Sequence, residues 1–151
     1  MSRPPARLDQ HLGYWLRFVS NHVSHAFARK LAARGVTVAE WVTLRALHDC
    51  EAMAPSDLAA ELGMTRGAIS KLVDRLIIKH LATRAPGKGD RRYQQVGLTQ
   101  AGRALVPELA RLADANDAEF FGHLAPDQRE AIEAMLRDVV RRHGLTLTPT
   151  D

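Results

Sequence analysis

From Gln10 to about Arg34 apolar side chains recur at helical spacing. Leu12, Leu16, Val19, Val23 and Ala26 form one stripe ending on Lys30, with Trp15, Phe27 and Leu31 beside it, and Gly35 stops the helix. Thr37, three residues before Glu40, is spaced as a capping box for a second helix carrying Trp41, Leu44 and Leu47. Pro55 opens a short third helix with Leu58, Ala59 and Leu62 on one face, and Gly63 lies just past its end. Thr65 caps a fourth, whose buried side is Ile69, Leu72, Val73 and Leu76. The pattern then changes: Leu81 to Ala85 and Arg91 to Val96 read as two short strands around a turn at Pro86 to Asp90. Thr99 caps a long fifth helix running to about Phe121, with a bend or a missing ladder bond expected at Pro107. Pro126 opens a sixth, which carries Ile132, Leu136, Val139 and Val140 and ends at His143-Gly144. Ala54 and Ala125 stand where capping hydroxyls are expected, which weakens those two helix starts by about 1 kcal/mol each.

This order predicts a mainly α protein with a small β-hairpin. Its third and fourth helices, joined by a tight turn, have the spacing of a helix-turn-helix, whose second helix lies in the major groove of DNA. With one side of the fourth helix buried, Arg66, Gly67, Ser70, Lys71 and Asp74 are left outward. An Arg near the helix start can take guanine O6 and N7, and Ser can donate or accept. Gly67 lets a groove wall approach closely. Lys71, Arg75 and Lys79 are better placed for phosphates.

Charge sharpens this reading. The 151 residues carry +4, a weak hint of a polyanionic partner. From Met64 to Arg103, however, nine basic side chains face only Asp74 and Asp90, a local charge of +7, while the other 111 residues carry −3. A concentrated basic block is the footprint of phosphate binding; the alternative is a solvated basic face without a partner. The hairpin tip, Gly87 to Arg92, adds Lys88, Arg91 and Arg92, a basic ribbon suited to the minor groove.

Composition excludes other classes. Apolar residues at 46% and charged residues at 25% are ordinary for a globular protein. One cysteine forms neither an internal disulfide nor a cysteine-based zinc site. No apolar run approaches the roughly 18 residues of a membrane span, and the opening MSRPPARLDQ lacks the apolar stretch of a secretory signal, so a cytoplasmic protein without a membrane partner is expected. No Ser-His-Asp order, glycine-rich phosphate loop or paired carboxylate motif points to an enzyme, and no cofactor is expected.

The stretch PSDLAAELGMTRGAISKLVDRLIIKHLATR, followed by GDRRYQQVGLTQAG, resembles the winged helix-turn-helix of the MarR family of transcriptional regulators. The likeness extends over about residues 10–143, and its most specific pieces are Asp90-Arg91-Arg92 and Leu98-Thr99-Gln100-Ala101-Gly102. It implies a single domain, 1–151, with dimerisation helices over 10–34 and 100–143 and a winged helix-turn-helix lobe over 37–98. It further implies a homodimer that binds double-stranded DNA at a palindromic operator, a repressor released by a small aromatic or anionic ligand. Thr65, Arg66, Gly67, Ser70, Lys71, Arg75, Lys88, Asp90, Arg91 and Arg92 become the expected DNA-binding set. Within it Asp90 orients basic side chains, and Arg91, with Arg92, enters the minor groove. One position departs from the family pattern: His80 stands where the chain turns and Gly is common.

Apolar faces near both ends of the chain, which the small central module is too small to bury, either form a monomeric core of their own or, as the resemblance implies, call for a second copy. A twofold dimer sets two reading helices roughly 34 Å apart. In similar proteins a crevice between the dimerisation helices and the DNA-binding lobe takes aromatic compounds. Tyr14, Trp15, Phe18, His22 and Trp41 are the expected lining, set against the simpler reading that the rings are core. His22 and His25 can share a helix face, but zinc needs further ligands, so a metal-responsive regulator is an alternative without a complete site. A winged-helix protein-interaction module without DNA binding is another. Asp49 and Glu51 are expected to raise the pKa of Cys50, which favours a structural thiol over an oxidation sensor.

Overall fold

In a computed structural model of the protein, residues 3–87 and 94–146 are described. A 3-10 turn, Leu8–Gln10, precedes α1, Leu12–Ala32. Then follow α2, Val38–His48; α3, Pro55–Leu62; α4, Arg66–Ile78; β1, Ala82–Pro86; β2, Gln94–Leu98; α5, Gln100–Phe121; and α6, Pro126–His143. The predicted helices are all present. The second strand runs on past the expected end at Val96 to Leu98, and Arg91 to Tyr93 lie outside the described residues. Ala82 pairs with Leu98 and Arg84 with Val96, so Val96 and Leu98 are the alternating inward positions. Gly97 between them breaks the apolar pattern, which is why the strand reads as ending at Val96. Met53 adds one antiparallel rung through paired 2.8 Å bonds with Val96.

One core joins the central elements. Leu44 and Leu47 of α2, Leu58 of α3, Ile69, Val73 and Leu76 of α4 and Val96 of β2 pack with Leu31 of α1 and Leu109 of α5. Caps account for the element ends. Thr65 accepts from the Ala68 N–H at 3.1 Å, and Gly63, left-handed at φ 63°, ends α3. Ala54 and Ala125 provide no side-chain cap, though Gln128 reaches back to the Ala125 N–H at 2.9 Å. Helix α5 runs through Pro107, whose missing N–H leaves the Arg103 carbonyl without its ladder donor.

The Thr37 box is only half made. Its hydroxyl accepts from the Glu40 N–H at 3.1 Å, but the Glu40 carboxylate turns to Lys79 Nζ at 2.6 Å. The α1 stripe splits in the same way. Ala26 and Leu31 are buried, whereas Leu12, Leu16 and Val19 are exposed. Lys30 at its end donates to Asn116 Oδ1 at 3.0 Å, and buried Asn116 donates to the Val23 carbonyl at 3.2 Å, pinning α1 to α5. No residue of α6 is buried. Its apolar side faces an open groove against α1 and the end of α5, lined by Leu16, Val19, Phe121, Ile132 and Leu136.

Candidate nucleic-acid interface

Helix α4 is built to expose one face. Ile69, Leu72, Val73 and Leu76 are at most 5% exposed, so the helical period leaves Thr65, Arg66, Gly67, Ser70, Lys71, Asp74 and Arg75 at the surface. A Cβ built on Gly67 would meet nothing within 4 Å, so the space before this turn is open to a docking partner. Among the described residues, Arg66, Lys71 and Arg75 have no carboxylate partner. The fold therefore gathers every predicted DNA-binding residue of α4 on one surface. Lys88, Asp90, Arg91 and Arg92 lie outside the described residues.

Other cations of the basic block are committed elsewhere. Lys79, expected to contact phosphate, instead donates to Glu40 at 2.6 Å and to the Gly35 carbonyl at 2.7 Å. Arg84 on β1 donates to Asp74 Oδ1 at 2.6 Å and reaches the Ser70 carbonyl at 3.5 Å, fastening the hairpin to α4. Arg103 donates to the carbonyls of His48, Cys50 and Glu51, closing the C-terminal end of α2. Reading the sequence as summed charge missed these three roles, because each partner is remote in sequence or is a carbonyl.

Between α4 and the hairpin, the chain turns through His80 at φ 59°. His80 and Leu81 N–H groups bond Ile77 and Leu76 carbonyls at 2.9 Å, the hydrogen-bond pattern of a Schellman ending. The chain thus turns at His80, in the left-handed conformation that glycine adopts more readily.

The predicted ligand residues fall into two groups. Tyr14, Trp15, Phe18 and His22 form a partly exposed aromatic ladder on α1, with Phe18 and His22 ring centres 5.0 Å apart. Trp41 instead packs edge-on to Phe27 at 6.4 Å. Phe27 lies five residues beyond His22, the end of the ladder, about 7.5 Å along the helix, so Trp41 stands beside the ladder through Phe27. Among the described residues no three of His, Cys, Asp and Glu gather into a metal-binding group. No helix there is long and apolar enough to cross a membrane. Cys50 is half-buried, and burial, before all else, pushes its thiol above the usual value. Glu61 and Asp49 add to this, while Arg103 opposes it. The expected direction holds, but Glu61, remote in sequence, takes the place assigned to Glu51.

A helix pair whose second member presents cations, followed by an antiparallel hairpin tied to it, defines a winged helix-turn-helix, the architecture of a DNA-binding transcriptional regulator. Comparison with known proteins narrows the class. The model of the MarR family matches residues 34–92. The repressor NicR of Pseudomonas putida is 26% identical over 140 residues, 93% of this chain and 89% of its own. The structure of BpsR from Bordetella bronchiseptica is 29% identical with a TM-score of 0.78, over 89% of this chain and 96% of that one. A variant of MarR from Escherichia coli, complexed with operator DNA, is 25% identical with a TM-score of 0.77, over 85% and 93% of the two chains. Over most of its length the chain is thus similar to proteins of the MarR family, whose members are transcriptional regulators rather than enzymes.

Proposed function

We propose that the protein is a homodimeric repressor of a palindromic operator. Each copy sets α4 into a major groove, with Arg66 and Ser70 at base edges and Lys71 and Arg75 at phosphates. The hairpin tip enters the adjacent minor groove, with Lys88, Arg91 and Arg92 as its cations and Asp90 orienting them. The observation that carries this reading is the α4 surface itself. Arg66, Lys71 and Arg75 stand on its solvent side without carboxylate partners among the described residues, while Lys79, Arg84 and Arg103 of the same block are engaged inside the fold.

The dimer is supported by the exposed apolar residues of α1 and α6. Leu12, Leu16, Val19, Ile132, Leu136 and Val140 line open grooves that a second copy would cover. That arrangement supports a division into dimerisation helices, 10–34 and 100–143, and a reading lobe, 37–98.

Release is by a small aromatic, anionic ligand held against the α1 ladder of Tyr14, Trp15, Phe18 and His22. Support comes from BpsR, whose DNA binding is regulated by 6-hydroxynicotinic acid. Trp41 takes part only through its packing on Phe27. Such a ligand lowers DNA affinity by as much as it prefers the form with the wrong separation of reading heads.

The test is selection of bound duplexes from a random pool. A palindrome with half-sites about ten base pairs apart is expected. A monomeric protein that ignores duplex DNA even at low salt would overturn the reading.

A further inference from the structure

The Lys79–Glu40 pair has no place in the charge reading of the basic block. Glu40 is 2% exposed, and its carboxylate takes Lys79 Nζ at 2.6 Å. No other cation approaches it among the described residues. The same ammonium donates to the Gly35 carbonyl in the turn between α1 and α2. Lys79 is the C-cap of α4. Its two bonds therefore run from the end of the reading helix to the first turn of α2 and to the turn that precedes it.

We infer that Lys79 is a positioning residue for DNA recognition, a brace that fixes the tilt of α4 against α1 and α2 and makes no phosphate contact. A buried carboxylate stripped of its cation is far more costly than a surface one. Swinging Lys79 out to a phosphate would leave Glu40 in that state, so the brace holds when DNA is bound. A phosphate contact acts on any duplex. A tilt acts on base contacts, because a bidentate hydrogen bond tolerates little misplacement. The brace also joins α4 to the turn that follows α1, the proposed dimerisation helix, so a shift of α1 reaches the reading face through this side chain as well as through the core.

This inference rests on the DNA-binding reading above, and the experiment separates the two. Affinities of the full-length protein and of K79M, K79R and the neutral double variant E40Q/K79M are measured by fluorescence anisotropy, on the selected palindromic duplex and on a random-sequence duplex, across a salt series. The double variant keeps the test open if K79M alone fails to fold. Either uncharged variant should lose about tenfold or more on the selected duplex, the scale of a lost base contact. Its random-duplex affinity and its salt slope should stay at the parent's values, and K79R should recover most of the loss. Equal loss on both duplexes, with the slope reduced by about 0.9 per copy, would make Lys79 a phosphate contact and overturn the brace. Unchanged affinity in the double variant would overturn it as well. A parent protein that binds neither duplex would instead sink the DNA-binding reading.

Discussion

The Thr99 hydroxyl donates to the His80 carbonyl at 2.7 Å and accepts the Gly102 N–H at 3.0 Å. One side chain thus caps α5 and holds the turn that ends α4. The start of a long helix and the end of the reading helix are fixed to each other, with the hairpin between them in sequence.

His80 occupies the left-handed region at a cost of about 1–2 kcal/mol that glycine does not incur. His80→Gly should therefore raise the melting temperature by about 2–4 °C for each kcal/mol recovered. Thermal unfolding followed by circular dichroism checks this. An unchanged or lower midpoint would show that the imidazole contributes more than the backbone strain costs.

Gly102 lies where α5 passes over the backbone of Leu81, and a Cβ there would overlap the Leu81 carbonyl oxygen. Gly102→Ala should destabilise the protein by about 2–3 kcal/mol, as overpacking against rigid backbone does. Urea titration reads the change as a lower midpoint at constant slope. A midpoint equal to the parent's would mean that α5 slides without cost.

Arg66 follows the cap residue of α4, where side chains meet base edges. Arg66→Ala should cost about 1–3 kcal/mol of discrimination between the selected duplex and one altered at the contacted base pair. Equal loss on every sequence would assign Arg66 to phosphate. Arg91→Ala, from the cationic tip, should weaken binding while the melting temperature stays at the parent's value, and an unaltered mobility shift would remove Arg91 from the interface.

Burial holds the Cys50 thiol above its ordinary pKa, so at neutral pH the folded protein should react with iodoacetamide more slowly than the unfolded chain. The neutral thiol is the form the fold favours. Its contribution to stability is thus present below the unfolded pKa and is lost as pH rises through the raised folded value. Cys50→Ser should remove that alkaline dependence and leave any response to peroxide as it was. A response abolished by the substitution would make the thiol a sensor.

What could be read in the residues follows from how local each feature is. Gly35, Thr37, Thr65, Thr99 and Gly144 mark helix ends because a cap acts over three or four residues. The outward face of α4 follows from its period of 3.6. Partner choice between distant segments left no such trace. Glu40 looked like half of a capping box, yet its partner lies 39 residues away. Arg103 looked like one more cation, yet it serves three carbonyls. Tyr14 to His22 and Trp41 looked like one wall, yet the ring that Trp41 meets is Phe27.

Helix α6 spends its 18 residues with nothing buried, stitched along its length by Arg137 to Glu133 and by Arg141 and Arg142 to Asp138. Such stitches add only about 0.2–0.5 kcal/mol each. A helix this bare is marginal on its own in water. With the proposed dimer, ellipticity at 222 nm becomes a gauge of how crowded the protein is and should fall on dilution as this last segment melts before the rest.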